Sequence, residues 1–183
     1  MGLFNRRRKR GTDETMQYGA KLITVAKPQN PVSEQFRTVK TNIDFTSVDH
    51  QIKALAFTSA NMSEGKSTVT VNVAVTMAQA GKKVLLIDAD LHRPTLHQTF
   101  DLPNRVGLTT ILTSHSSKVD MANIVKEDII PNLSVMPAGP IPPNPAQLLG
   151  SNRMHAFLNM VKEHYDLVIL DLAPVLEVSD TQI

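Results

Sequence analysis

The sequence predicts an α/β protein with a doubly wound, mainly parallel β-sheet, and two observations support this prediction. Four short, nearly continuous apolar runs have the character of buried strands, as expected where helices cover both faces of a parallel sheet. These runs occupy residues 53–58, 83–88, 133–137 and 166–171. Segments long enough for crossover helices separate them, so the order of strand, helix and strand repeats along the chain.

Two crossover helices are predicted, over residues 66–80 and 152–164. The first carries valines at alternate positions from Val69 to Val75, a period that is typical of a strand. We nevertheless predict a helix, because the loop before it requires a helix N-terminus and Gly81 follows it as a left-handed cap.

An amphipathic helix is predicted near the start of the folded body, over residues 32–45, with Ser33 as a candidate cap. Its apolar stripe consists of Phe36, Val39 and Ile43. Charged side chains spaced three apart share one face; they are Glu34, Arg37 and Lys40. Residues 1–30 show no sustained period, so we predict a flexible arm over 1–30 and one folded domain over 31–183.

Composition excludes several classes of protein. No apolar run approaches the roughly 18–20 residues that cross a bilayer, and the N-terminus lacks the apolar core of a secretory signal. The sequence has no cysteine, which excludes disulfides and thiolate zinc sites, and the spacing of its six histidines does not match a metal site. We therefore expect a cytoplasmic protein.

The net charge of +2 hides a basic segment at residues 6–10. Without these five residues the 19 basic residues fall to 14, against 17 acidic ones, a balance of −3. Such a body is not expected to bind nucleic acid. Two interpretations of the segment stay open: a solvated tail, or an arm that binds the anionic surface of a membrane.

Residues 59–68 match the second half of the phosphate-binding pattern G-x-x-x-x-G-K-[ST], after one predicted strand and before a predicted helix. Ala60 replaces the first glycine of the pattern. In such loops the backbone N–H groups and the lysine bind phosphate, and the hydroxyl binds magnesium. The candidate nucleotide-binding residues are Ser63, Glu64, Gly65, Lys66, Ser67 and Thr68. A chance Gly-Lys-Ser loop is the alternative, and the placement between strand and helix argues against it.

Three aspartates follow predicted strands: Asp88 and Asp90 after one, and Asp171 at the end of another. The carboxyl ends of parallel strands meet at the edge where such sheets bind ligands. The three aspartates are therefore expected to hold magnesium and to orient a nucleophile, although each alone could be a turn residue. The candidate metal ligands are Ser67, Asp88 and Asp171, and the candidate catalytic residues are Lys66, Asp88 and Asp90.

With these motifs the chain closely resembles the bacterial tyrosine kinases (BY-kinases), in particular the cytoplasmic type that regulates capsule and exopolysaccharide synthesis. The similarity extends from about residue 31 to 183. It implies a P-loop NTPase fold, ATP and Mg²⁺ as cofactors, and phosphoryl transfer to tyrosine. It also implies that residues 66–68 form the Walker A contacts, that Asp88 and Asp90 form the Walker A′ motif, and that Asp171 is the Walker B carboxylate.

The resemblance further implies partners for the chain. The family's ring-assembly motif E-x-x-R-x-x-R is present as Glu34, Arg37 and, with a substitution, Lys40. A membrane-anchored activator, the polysaccharide co-polymerase, would dock its cytoplasmic tail on the kinase. These partners would place the chain at the inner face of the cell membrane.

The chain departs from the family pattern at the phosphate loop and after the Walker A′ motif. Met62 and Ser63 stand where the family usually has Pro-Gly, and His92 stands where an arginine is common. Ser63 is expected to strain the loop if its φ must be positive. The charge of Lys66 is expected to serve phosphate and not the core, so its loss should leave the fold intact.

Two other functions stay open. A partitioning or positioning ATPase typically has a second lysine early in its P-loop, whereas the sequence has none between Ser59 and Gly65. A non-catalytic assembly subunit would bind nucleotide without an acceptor tail. The family continues into a tyrosine-rich tail, but this sequence contains only Tyr18 and Tyr165. We therefore expect the chain to be incomplete at its C-terminus and a poor autokinase.

Overall fold

Five strands form one sheet in the computed structural model of the protein, which describes residues 19–46, 51–114 and 120–176. The strands are β1 (Ala54–Phe57), β2 (Val84–Ala89), β3 (Lys126–Ile130), β4 (Leu133–Met136) and β5 (Leu167–Leu172). Their order across the sheet is β1-β5-β2-β4-β3. All neighbours are parallel except β3, which pairs antiparallel with β4. The four predicted strands are confirmed.

The edge strand β3 was not predicted, because its sequence, KEDII, begins with three charged residues. Glu127 and Asp128 are exposed, and the pairing with β4 is irregular. Charges and irregular pairing are common on edge strands, where they discourage pairing with another chain. The strand therefore lacks the apolar pattern by which the four parallel strands are recognised.

Eight helices occur in the described residues, and the three longest are the three that the sequence predicts. They are α1 (Ile23–Ala26), α2 (Pro31–Thr46), α3 (Lys66–Gln79), α4 (Leu96–Thr99), α5 (Leu108–Thr113), α6 (Met121–Ile124), α7 (Pro145–Leu149) and α8 (Asn152–His164). The segment with alternate valines is helical, as predicted. The alternate valines resemble a strand pattern because α3 is buried on every side from Thr70 to Ala78, so its apolar residues are not confined to one stripe.

The end of α3 has the predicted glycine cap. Gly81 has a φ of +91°, and its N–H donates to the Ala78 carbonyl at 2.9 Å. The N–H of Lys82 donates to the Met77 carbonyl at 3.3 Å. These two bonds form a Schellman motif, which satisfies carbonyl groups at the end of the helix and turns the chain toward β2.

Two apolar clusters lie on opposite faces of the sheet, as the doubly wound class requires. Alternate residues of β2 point to opposite faces: Leu85 and Ile87 join the cluster under α5–α8, whereas Val84 and Leu86 join the cluster under α1–α4. Both clusters surround the paired strands β2 and β5, in which Asp88 lies directly opposite Asp171. The most buried strands therefore carry the candidate carboxylates at their ends.

The folded body begins before residue 31, so the predicted boundary of the arm is corrected. Leu22 and Thr24 are buried, and the Thr24 N–H and hydroxyl donate to the Asn72 carbonyl oxygen at 3.0 and 2.8 Å. The side-chain N–H₂ of Asn72 donates back to the backbone oxygen of Lys21. A short polar segment thus packs on α3 through hydrogen bonds, which leave no periodic apolar pattern in the sequence.

The predicted cap of α2 is also corrected. Ser33 lies inside the helix and donates its hydroxyl to the carbonyl oxygen of Lys27 at 2.7 Å. The cap is Asn30, whose side chain accepts the N–H of Val32 at 2.9 Å, and Pro31 occupies the first helical position. In the predicted stripe Phe36 and Ile43 pack against the core, whereas Val39 is 38% exposed.

Several sequence predictions lie outside the described residues. They concern the basic segment 6–10, Tyr18, two of the histidines, and the end of the chain from residue 177. Within the described ranges, no helix combines the length and the apolar character needed to span a membrane.

Candidate nucleotide-binding site

The phosphate loop connects β1 to α3, and its backbone contains two residues with positive φ. Gly65, at the N-cap of α3, has a φ of +85°, and Ser63 has a φ of +60°. A positive φ costs a residue other than glycine roughly 1–2 kcal/mol. Strain at Ser63 is expected only if its φ must be positive; this condition is met, and Ser63 holds the positive φ at a cost.

Lys66 lies at the first position of α3 and is buried among carboxylates. Its Nζ is 2.8 Å from Asp171 Oδ1 and 3.6 Å from Asp90 Oδ2, and its side chain is only 8% exposed. The lysine therefore forms part of the packed interior as well as the loop. This contact corrects the expectation that its charge serves phosphate alone, because its removal would leave a buried carboxylate without its cation.

Asp171, near the end of β5, forms hydrogen bonds with three side chains of α3. The Ser67 hydroxyl donates to Oδ2 at 2.6 Å, and the Thr70 hydroxyl is 3.0 Å from Oδ1. The Asp171 side chain is fully buried. Thr70 was not singled out from the sequence, although its position one helical turn after Lys66 places it on the same face.

Asp88 is fully buried, and its two oxygens have different surroundings. Oδ2 accepts the backbone N–H groups of Thr95 and Leu96 at 3.0 and 2.9 Å, whereas Oδ1 has no partner in the described structure. Burial, with smaller contributions from the charges of Asp171 and Asp90, raises the pKa of Asp88 from 3.8 to about 8. Asp88 is thus an unsatisfied acid at the floor of the site.

Asp90 connects Lys66 to the segment after β2. Its Oδ1 accepts the N–H of Arg93 at 2.9 Å, and its Oδ2 faces Lys66. Arg93 and His92 are exposed and line the cleft above the carboxylates. This places two basic side chains at the mouth of a site whose floor is acidic.

The site opens into a cleft of about 640 Å³. Of the predicted nucleotide-binding residues, five line this cleft: Ser63, Gly65, Lys66, Ser67 and Thr68. Glu64 is instead fully exposed, and its carboxylate accepts hydrogen bonds from the loop itself. Gly19 and Ala20 also line the cleft and were missed, because a Gly-Ala pair in a polar segment carries no sequence signal.

The residues present fit a magnesium nucleotide. The Ser67 hydroxyl and the carboxylates of Asp171 and Asp88 are hard oxygen donors, and Asp88 Oδ1 is buried with no partner in the described ranges. Among the described residues, no group of three or more acidic, histidine or cysteine side chains could hold a metal. Magnesium in phosphoryl-transfer sites is usually bound by one or two carboxylates together with substrate phosphates and water, so this donor set is sufficient.

The predicted ring-assembly residues lie on α2, apart from this cluster. Glu34 and Arg37 form an ion pair within the helix, and Arg37 also donates to the Pro28 carbonyl at 2.7 Å. Lys40 pairs with Asp44 at 2.8 Å. All three charged residues thus have partners within the chain.

Comparison with known proteins gives consistent matches. A model of the AAA domain family matches residues 52–183. The tyrosine-protein kinase YwqD of Bacillus subtilis is 49% identical over 162 residues, which are 88% of this chain and 67% of that protein. The tyrosine-protein kinase CpsD of Streptococcus agalactiae is 38% identical over 151 residues, 82% of this chain and 64% of that protein.

Among solved structures, the crystal structure of the chimerical protein CapA2B2 matches with a TM-score of 0.80 and 38% identity. The match covers 87% of this chain and 69% of that one. The chain therefore spans about two thirds of the length of these relatives. Together with the sheet order, the matches confirm the predicted P-loop NTPase fold.

The raised pKa of Asp88 predicts how stability depends on pH. Between the ordinary value of 3.8 and the folded value of about 8, the folded chain binds a proton that the unfolded chain has released. The free energy of unfolding of the nucleotide-free protein should therefore receive a contribution that falls as pH rises from about 4 to 8. Asp88→Asn should remove this contribution and be more stable than the wild type at pH 8.

Urea unfolding at pH 5, 6, 7 and 8 measures the effect as the difference between variant and wild type. Asp128→Asn, at an exposed position of β3, is the matched control. If the curves of Asp88→Asn and wild type stay parallel across this range, Asp88 is not a proton-binding acid in the folded chain.

Proposed function

We propose a function from the premise that the chain belongs to the bacterial tyrosine kinases, P-loop proteins with an AAA domain. The protein is an ATP-dependent protein-tyrosine kinase, and it acts in capsular or exopolysaccharide biosynthesis. The observation that carries the proposal is the cluster of Lys66, Ser67 and Asp171 beside Asp88, one oxygen of which has no partner within the described part of the chain. These are the groups that phosphoryl transfer needs at one end of a cleft.

Lys66 and the loop would bind the phosphates of ATP. The lysine is held at the floor of the cleft by Asp171 and Asp90, so its charge is positioned before the nucleotide enters. Magnesium, held by Ser67 and Asp171, would neutralise charge on the phosphates. Positioning and charge neutralisation supply most of the catalysis in reactions of this kind.

Asp88 is proposed to orient the tyrosine hydroxyl and to accept its proton at Oδ1. Its Oδ2 is fixed by two backbone N–H groups, so Oδ1 is the oxygen left to receive a hydrogen bond. A pKa of about 8 keeps much of the acid protonated at neutral pH in the nucleotide-free chain. A cation bound beside it would favour the ionised form, which can act as the base.

Transfer of labelled γ-phosphate tests the proposed reaction. The chain is incubated with magnesium, ATP and an acceptor peptide that contains several tyrosines. We expect phosphotyrosine on the peptide and not on Tyr165, because Tyr165 is only 9% exposed, with Lys83 Nζ 5.0 Å from its ring centroid. Release of label only as free phosphate would favour an ATPase, and binding without release would favour a non-catalytic subunit.

Lys66→Met should abolish transfer and also destabilise the chain. Removing one partner of a buried ion pair costs about 3–5 kcal/mol, because the other charge stays buried. The double variant Lys66→Met/Asp171→Asn should recover part of the unfolding free energy without recovering transfer. Denaturant unfolding and the labelled-phosphate assay are measured on the same samples. Full activity in the single variant would contradict the assignment of the phosphate loop.

Ring assembly through α2 is part of the proposal. Glu34 and Arg37 are partly exposed, with side-chain exposures of 65% and 41%, so a second copy of the chain can reach them. Lys40 keeps a positive charge but lacks the planar fork of an arginine, so we expect weaker assembly than with arginine at this position. Arg37→Ala should lower the sedimentation coefficient of an assembled sample, and Arg105→Ala, in an exposed loop, should not.

Membrane partners complete the proposal. Residues 6–10 would bind anionic lipid, and the cytoplasmic tail of a membrane-anchored activator would dock on the kinase. Binding through such an arm is screened by salt, over a Debye length of about 10 Å at 0.1 M. Deleting residues 1–10 should therefore weaken binding to phosphatidylserine vesicles at low salt. Equal binding of the full chain and the shortened chain would show that the segment is a solvated tail.

A further inference from the structure

The Glu64 carboxylate closes the phosphate loop on its outer side. Oε2 accepts the N–H of Ala60 at 3.1 Å, and Oε1 accepts the side-chain N–H of Asn61 at 2.9 Å. Hydrogen bonds from the Asn61 side chain, and then from the Asn61 and Ala60 backbone, hold the pKa of Glu64 below its ordinary value. An ionised side chain thus connects the last part of the loop to the first.

The first part of the loop is itself anchored. The N–H of Val175 donates to the Ser59 carbonyl at 2.9 Å, and the N–H of Leu176 donates to the Ala60 carbonyl at 3.3 Å. The chain after β5 therefore fixes the base of the loop. Glu64, by bonding to Ala60 at this base, limits how far the rest of the loop can move away.

The arch of the loop, residues 62 and 63, contains the strained residue. Met62 and Ser63 lie between Asn61 and Glu64 and line the cleft. Ser63 holds a φ of +60°, which glycine would adopt without strain. A serine in this position favours loop shapes with negative φ, and such shapes would move the arch away from its observed course.

We propose that Glu64 is a positioning residue, which holds the strained loop in the shape that receives the phosphates of a nucleotide. Glu64 lies outside the cleft and acts through the backbone of residues 60–63. The proposal rests on nucleotide binding at this loop and not on transfer to tyrosine. The carboxylate is needed to hold this loop shape because Ser63, and not glycine, occupies the arch.

A double-mutant cycle between Ser63 and Glu64 tests the proposal. The measurement is the Kd of a fluorescent ATP analogue in the presence of magnesium. Glu64→Ala should raise this Kd roughly tenfold. In the Ser63→Gly background the same Glu64→Ala change should raise the Kd about threefold or less, because glycine keeps the positive φ without the carboxylate.

Glu163→Ala is the matched control, since it removes the same charge from an exposed position on α8. It should leave the Kd unchanged, and Glu64→Ala should melt at the same temperature as this control. A Kd that does not change in Glu64→Ala overturns the proposal. A loss that Ser63→Gly fails to recover also overturns it, since Glu64 would then act by some means other than holding the arch. Because binding is measured without an acceptor, failure of tyrosine transfer would not affect the result.

Discussion

The buried pair between Lys66 and Asp171 connects the two halves of the site. Lys66 begins α3 and Asp171 lies in β5, so the pair holds the start of the helix against the sheet at the point where the phosphate loop ends. Ser67 and Thr70 complete the hydrogen bonding of the carboxylate from the same helix face. Buried pairs contribute little net stability, but breaking one is costly because a charge stays buried. The pair therefore fixes geometry more than it adds stability.

The charges around the same pair are not balanced. Three carboxylates share one lysine, and Asp88 is the one that does not contact it within ion-pair distance. A phosphate that draws Lys66 away and a cation that approaches the carboxylates would redistribute this charge together. A site whose side chains are arranged to bind a ligand commonly lowers the stability of the free protein. Asp88 bears this cost, with one buried oxygen that has no partner among the residues that the structure describes.

The sequence predicts the four parallel strands, the three long helices and the residues of the floor of the site. These parts depend on local signals: apolar runs, a phosphate-loop pattern and carboxylates at strand ends. The edge strand β3 and the segment of α1 escape prediction because charge and hydrogen bonding, and not apolar periodicity, hold them in place. The role of Glu64 escapes for a related reason, since a pattern assigns it to the phosphates whereas its contacts lie within the loop. The burial of Lys66 among carboxylates likewise follows from the parallel pairing, which one motif alone does not contain.

The register of β2 and β5 has a consequence for how the protein tolerates change. Asp88 and Asp171 are direct partners across parallel strands, so their separation is set by the strand spacing of about 4.8 Å and not by any loop. Insertions in the connections between the strands can therefore accumulate without separating the two carboxylates. A deletion of one residue within β5 would instead turn Asp171 to the opposite face of the sheet, away from Lys66. Length variation among functional homologues should accordingly be concentrated in the connections and absent from these two strands.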